Sequence, residues 1–577
     1  MAWRHLTKLF LRQFLENDLV SPDSDRAHLL AVVGAGLVSL TLFASMFLSA
    51  AYAMSVLTPG QAAVMTLNDK FFYVSMAMLI TALVAAAQWD ALALDQRDSA
   101  ILDPLPVRPS IIRWAKLTAV AIFGAAVALA VNAFPTFVFP WMVSFSLRQM
   151  RATEVFWMMG IHASITLAAA AFGYLVVMAV RESLCAVLGP QLFTRMSPTF
   201  QASTIVLLGS LLFLVPPAST RIAQRGFSGW WAELPPMAFV GAYEEVSNNF
   251  IVDLPRRQVT ARMAARDREG TALYEQRRPL MPALARRVQV LFGGVLSILV
   301  AASIVSALRA PVGGALLVTN ERRRSRAGEL IANAVIVRTQ AARAGFYFAL
   351  ATLFRSKTHR LTLACAAALG LSMSFVVLTR TDLQSGDLRP GMLAVQPLLY
   401  GCLLAAFRHL VRVPPELRAN WGVRLAWRAQ RRAFTDGVCR AAMLSLALPA
   451  IALVFVPMAF VAGVQMALAH AALGVAGAVI LLEAMMLGYD KAPFTCNYIP
   501  IAGAKGIVPL YVIAFLIGVS AFARLELAIM TGDNPLRGIL LLASLFAILR
   551  IAALRQRELP VDFDEPPPAL QTLGLHT

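Results

Sequence analysis

The chain has 577 residues, 58% hydrophobic and only 14% charged, well below the roughly 25% charged residues of a soluble domain. Its apolar residues come in blocks of about 18 to 27, long enough to cross a hydrocarbon core, and not in the short stripes of a surface helix. The formal charge of +19 (51 basic, 32 acidic residues) therefore points to cytoplasmic loops and anionic lipid, where Lys and Arg gather, and not to nucleic acid.

Residues Trp3 to Leu15 come first. Apolar Trp3, Leu6, Leu9, Phe10 and Phe14 alternate with basic Arg4, Lys8 and Arg12, which predicts a helix lying in the membrane interface. A cleaved signal is not expected, because the first long apolar run begins only near Leu29. The spans expected after it are 28–54, 71–93, 117–143, 155–180, 201–217, 288–307, 361–379, 391–407, 440–461, 464–488, 506–523 and 535–553, each boundary good to about two to four residues. The fold class is thus all-α: a polytopic helical membrane protein of about twelve transmembrane helices in two six-helix halves, with amphipathic elbow helices.

The domains follow. Residues 1–307 make the first half, with an extracytoplasmic loop at 218–287. Residues 308–360 make a basic cytoplasmic linker and a second elbow helix, 361–555 the second half, and 556–577 an acidic, proline-bearing tail. Basic residues set the orientation. With the N-terminus inside, Arg97, Arg108, Arg181, Arg195, the cluster Arg322-Arg323-Arg324 and the series from Arg408 to Arg432 fall in cytoplasmic loops. Both termini are then cytoplasmic, and the expected location is the cell (inner) membrane.

The halves share an order of elements. Each opens on an amphipathic lead-in, 3–15 and 345–360, and each follows its second span with a basic loop holding prolines: LDPLPVRPS at 102–110 and VRVPPELRANWGVR at 411–424. Internal duplication is common in transporters, whose pathways lie at the repeat interface. The loop at 95–116 cannot be one continuous helix, since Pro104 and Pro106 each remove a backbone donor and restrict the preceding residue. It can present a stiff corner, with Leu102, Leu105 and Val107 as apolar contacts and Arg97 and Arg108 as cations.

Motifs for chemistry are few. There is no GxxxxGK[ST] phosphate loop, no HExxH and no nucleophile elbow. The five cysteines show no CxxC pairing and read as small apolar residues. Inside the spans, His162, His470 and Glu483 are the polar candidates. The histidines read mainly as packing residues. Glu483 could pair with Lys491, snorkel to the surface or carry protons. Asp90 and Asp95 fall at the mouth of the second span. Trp230, Trp231, Phe239 and Tyr243 in 228–246 read as aromatics at a membrane interface.

An interfacial elbow helix, six spans, a cytoplasmic corner carrying Arg97-Asp98, Ile101-Leu102 and Pro104-Leu105-Pro106-Val107, and a long element between spans five and six resemble the type-2 ABC transporter permeases. VPPELRANW (413–421) and PFTCNYIP (493–500) are similar to stretches of large bacterial membrane proteins of that class. The resemblance implies a membrane-spanning subunit of an ATP-driven exporter, coupled to a separate ATPase through loops 95–116 and 408–432. The coupling residues would be Arg97, Leu102, Pro104, Leu105, Pro106, Val107, Arg108, Pro414, Pro415, Glu416, Arg418 and Trp421. The chain itself would be no enzyme and would hold no cofactor or metal, ATP and magnesium belonging to the partner. Two other readings stand beside it: an ion-coupled secondary transporter, against which the spans show few charges, and an integral membrane enzyme acting on lipid or glycan, which would need clustered acidic or histidine residues.

Overall fold

The computed structural model describes residues 2–15, 54–89, 106–148, 150–219, 232–255, 260–309, 337–381, 388–415, 431–489, 491–495, 508–532 and 535–556, together with single positions near residues 50 and 103. Among them there is no extended strand, and ten helices are long and apolar enough to cross a membrane. Two places separate this count from the twelve spans expected. The span at 28–54 lies almost wholly outside the described residues, and the fourth and fifth fall within one helical run.

The chain forms two compact units, Met1–Asn320 and Glu321–Thr577. In the first, α1 (Ala2–Leu15) is followed by α2 (Pro59–Ala87), α3 (Pro109–Leu147) and α4 (Ala152–Ser219). The segment 181–200, expected as a loop, is helical on both sides of Gly189. Gly189 has φ 74° and ψ 163°, a conformation costly for a side-chain-bearing residue, and Pro190 restarts the helix where its missing N–H is not needed. Then come α5 (Pro235–Ser247), α6 (Ala261–Glu275) and α7 (Met281–Arg309).

Helix α2 is the centre of this unit and packs on α3, α4, α5 and α6. Helix α1 lies along α3 with Phe10 buried, while Trp3, Arg4 and Lys8 are exposed. The Lys116 ammonium of α3 sits 4.6 Å from the Phe10 ring centre. Helix α7 keeps Val290, Leu296, Ile298, Val300 and Ile304 exposed, a surface suited to hydrocarbon and not to water.

The second unit runs α8 (Gln340–Arg355), α9 (Lys357–Arg380), α10 (Pro390–Leu410), α11 (Arg431–Ala442), a π-turn at Met443–Ala447, α12 (Leu448–Ala462), α13 (Val464–Met486), α14 (Val508–Thr531) and α15 (Pro535–Gln556). The π-turn has a local cause. Pro449 cannot donate to the carbonyl four residues back, and its ring crowds that carbonyl, so the ladder widens ahead of it. Gly463, at φ 86°, alone separates α12 from α13.

Lead helix α8 packs along α11 as α1 packs along α3. Its crossing is close: a methyl on Gly437 would stand 2.1 Å from the Ala342 carbonyl, and one on Gly345 would stand 2.2 Å from that of Phe434. Replacing Gly437 with Val should destabilise this unit by about 1–3 kcal/mol through overpacking, read as a lowered melting temperature in detergent. Gly518→Val, where nothing lies within 4 Å, should change it little.

Candidate functional site

Two kinds of place emerge: the corners where the proposed coupling segments leave the helices, and buried polar groups inside each unit. At the first corner Leu102 is buried, Val107 half-buried, and Pro104, Pro106 and Arg108 exposed. Arg97 and Leu105 lie outside the described residues. Arg108 precedes α3 in extended conformation, and its carbonyl starts the helix by accepting from Ile111 at 2.9 Å. The other flank of the segment is anchored firmly. Trp89, at the end of α2, is fully buried and donates from Nε1 to Ser197 Oγ at 3.0 Å. The Arg181 Nε donates to the Trp89 carbonyl at 3.1 Å, and Gln201 Nε2 to that of Ala86 at 3.0 Å. Cationic and amide donors thus close the carbonyl end of α2, where the helix dipole favours them.

At the second corner Pro414 is half-buried and Pro415 exposed, while Glu416, Arg418 and Trp421 lie outside the described residues. The approach to it is stapled. The Val411 carbonyl accepts from the Phe494 amide at 2.5 Å and the Tyr489 hydroxyl at 3.0 Å. His359 Nε2 lies 3.1 Å from the Val413 carbonyl, and Arg408 Nε donates to the Met485 carbonyl at 2.6 Å.

Inside the first unit, Lys70 of α2 forms an ion pair with Glu244 of α5, their side chains only 1% and 4% exposed. The Tyr274 hydroxyl of α6 bonds the same carboxylate and lies 2.6 Å from Asn249 Oδ1. The Lys70 ammonium also stands 4.5 Å from the centre of the Tyr243 ring. That ring's hydroxyl is 3.5 Å from His162 Nδ1. Burial and the adjacent Glu244 push the Tyr243 phenol well above its ordinary pKa, which keeps it a hydrogen-bond donor. Asp69 accepts from the Tyr52 hydroxyl at 2.5 Å, and Asp267 of α6 accepts from the Gly60 amide at 2.8 Å, capping α2. These contacts dock α5 and α6 against α2. Phe239 and Tyr243, expected at a membrane interface, are instead fully buried, because α5 presses its aromatic face onto helices already in place. Trp230 and Trp231 lie outside the described residues.

In the second unit His470 of α13 has a partner that local sequence did not reveal. Its Nδ1 is 2.5 Å from Glu526 Oε1 of α14, with side chains 1% and 0% exposed. Glu483 pairs with Arg550 of α15 at 2.5 Å, and Asp436 stands 3.8 Å from the same guanidinium. Of the options open to Glu483, which were pairing with Lys491, snorkelling or carrying protons, the structure shows an ion pair with Arg550, since α15 brings its arginine alongside α13. Lys70 and Glu526 fall just outside the expected spans, which begin at 71 and end at 523, while Glu244 falls in the segment 218–287 read as a loop. The available signal is a short polar cluster, Asn68-Asp69-Lys70, set between apolar runs. Among the described residues no group of three or more His, Cys, Asp or Glu side chains is placed to hold a metal ion.

A buried pair loses more when broken than when removed whole. Lys70→Met alone or Glu244→Gln alone should each cost about 3–5 kcal/mol of stability. The double variant should cost clearly less than the sum, which denaturation of the three proteins in detergent would show. No family model, curated protein or solved structure matches this chain.

Proposed function

We propose that this protein is the membrane-spanning subunit of an ATP-driven ABC-type exporter, moved by a separate ATPase that grips the segments 95–116 and 408–432. The observation carrying this reading is the exposed corner around Pro104 that leads into α3. Exposed Pro104, Pro106 and Arg108 stand between the clamped end of α2 at Trp89 and the start of α3. Helix α3 is also bound to lead helix α1 through Phe10 and Lys116. A push on this corner would be passed through the start of α3 to lead helix α1 packed along it. The second unit offers a like arrangement, with α8 on α11 and stapled residues 411–413 beside Pro414 and Pro415. Arg108 would pair with acidic groups of the ATPase, an exposed contact worth about 0.2–1 kcal/mol that steers docking more than it holds it.

A second reading, an ion-coupled secondary transporter, gains from the structure. The objection that the spans hold few charges is weaker once Lys70, Glu244 and the His470–Glu526 pair are found buried. Integral membrane enzyme chemistry receives no comparable support from any described cluster.

The coupling segment can be tested directly. Changing Leu105 and Val107 together to Asp introduces two carboxylates into the segment proposed to dock. The variant should fold as the original does but lose co-purification with its ATPase and the ATP hydrolysis stimulated by the complex. Full retention of both would remove 95–116 from the coupling role.

A further inference from the structure

Helix α13 turns His470, Gly474 and Gly477 toward its neighbours, all three buried. Against Gly474 lies the Gln396 side chain of α10. A methyl on that glycine would stand 2.2 Å from Gln396 Nε2. One turn on, a methyl on Gly477 would stand 2.7 Å from the Tyr400 hydroxyl and 2.6 Å from the Phe522 ring. Glu526 of α14 closes the group through its 2.5 Å contact with His470. Four atoms in this cluster have no hydrogen-bond partner: His470 Nε2, Glu526 Oε2 and both amide atoms of Gln396. Buried polar atoms are rarely left so, and each costs about 1–3 kcal/mol.

Charge narrows what the cluster does. A neutral imidazole with an ionised carboxylate leaves one net negative charge among apolar helices, at several kcal/mol even after relaxation. The groups that face the pair do not cancel it. Helix α10 contributes Gln396 and Tyr400, and α12 carries no titratable side chain. Arg550 of α15 is engaged with Glu483, thirteen residues along α13 from His470, or about 20 Å at 1.5 Å per residue. Arg524 of α14 and Arg537 of α15 are exposed.

Space narrows it further. Gln396 and Tyr400 fill the notches left by the two glycines, so a solute or hydrated metal ion has no room there. A proton needs none.

We propose that His470 and Glu526 form a proton-binding site inside the second unit. One proton joins the pair: an O–H bond of hydronium breaks, an N–H or O–H bond forms on the shared Nδ1–Oε1 line, and one water leaves. The pair passes from net −1 to neutral, as imidazolium with carboxylate or imidazole with carboxylic acid. Gln396 lies against Gly474, one turn along α13 from His470, with its amide atoms uncommitted. This site goes beyond the ATP-driven reading and does not depend on it, because it concerns only charge and geometry within one unit.

The test uses the full chain in lipid vesicles. Infrared difference spectra and proton uptake are followed between about pH 5 and 8, the range in which histidine ordinarily changes charge. The unaltered protein should take up one proton per chain more than Glu526→Gln and should show carboxyl or imidazole bands that this variant lacks. His470→Gln should shift the midpoint and confine the change to the carboxyl band. Should Glu526→Gln fail to fold, the comparison of His470→Gln with the unaltered chain decides. Equal uptake and unchanged bands in whichever variants fold would overturn the proposal.

Discussion

Hydrocarbon offers no hydrogen-bond partner, so every amide and every charge of a membrane-spanning chain must find its complement within the protein. That constraint explains the helices, whose ladders are internal, and it explains where the charged side chains went. Lys70 is not at a border but is joined to Glu244 and, through it, to Tyr274. Glu526 is not in a loop but is held by His470. Each pairing fixes one helix against another: α2 against α5 and α6 in the first unit, α13 against α14 in the second. Buried ion pairs are poor evidence of stability in themselves, and here their value lies in specifying which helices meet.

The same constraint governs the helix ends. Arg181, Ser197 and Gln201 converge on the end of α2, and Arg408, Tyr489 and His359 converge on the turns after α10 and α13. These are the places from which the proline-bearing segments depart. On the ATP-driven reading proposed above, the exposed residues Pro104, Pro106, Arg108 and Pro415 are where a partner would push. Proline supplies stiffness there, and the lead helices α1 and α8 widen the body that a displacement would move.

Much of the helical layout was readable from the sequence. The run expected at 361–379 is Lys357–Arg380, and that at 391–407 is Pro390–Leu410, because apolar length is a local property. Corners at single glycines were harder to see. Gly189 turns what read as a loop of twenty residues into one sharp break, since nothing in residue counts says how tightly a chain can fold back. Buried charges were hardest. A charge costs a helix centre about 2.5–3.5 kcal/mol, so a hydropathy reading ends the span there, whereas a partner on a distant element removes that cost. Glu483 shows the limit: its arginine lies 67 residues away, beyond the reach of any reading of neighbouring residues. The prolines at 104 and 106 were plain in the sequence, but the anchorage of Trp89 at the end of α2 was not, because the residues that hold it come from more than ninety positions downstream.

The account turns on what supplies the energy. The most direct measurement is purification of the full chain from its own membrane in mild detergent, followed by identification of its companions and by transport in vesicles. The account predicts an ATP-hydrolysing subunit in fixed proportion to the chain, and solute movement that stops when ATP or that subunit is withheld. A chain that comes away alone and drives solutes uphill from an ion gradient would contradict it.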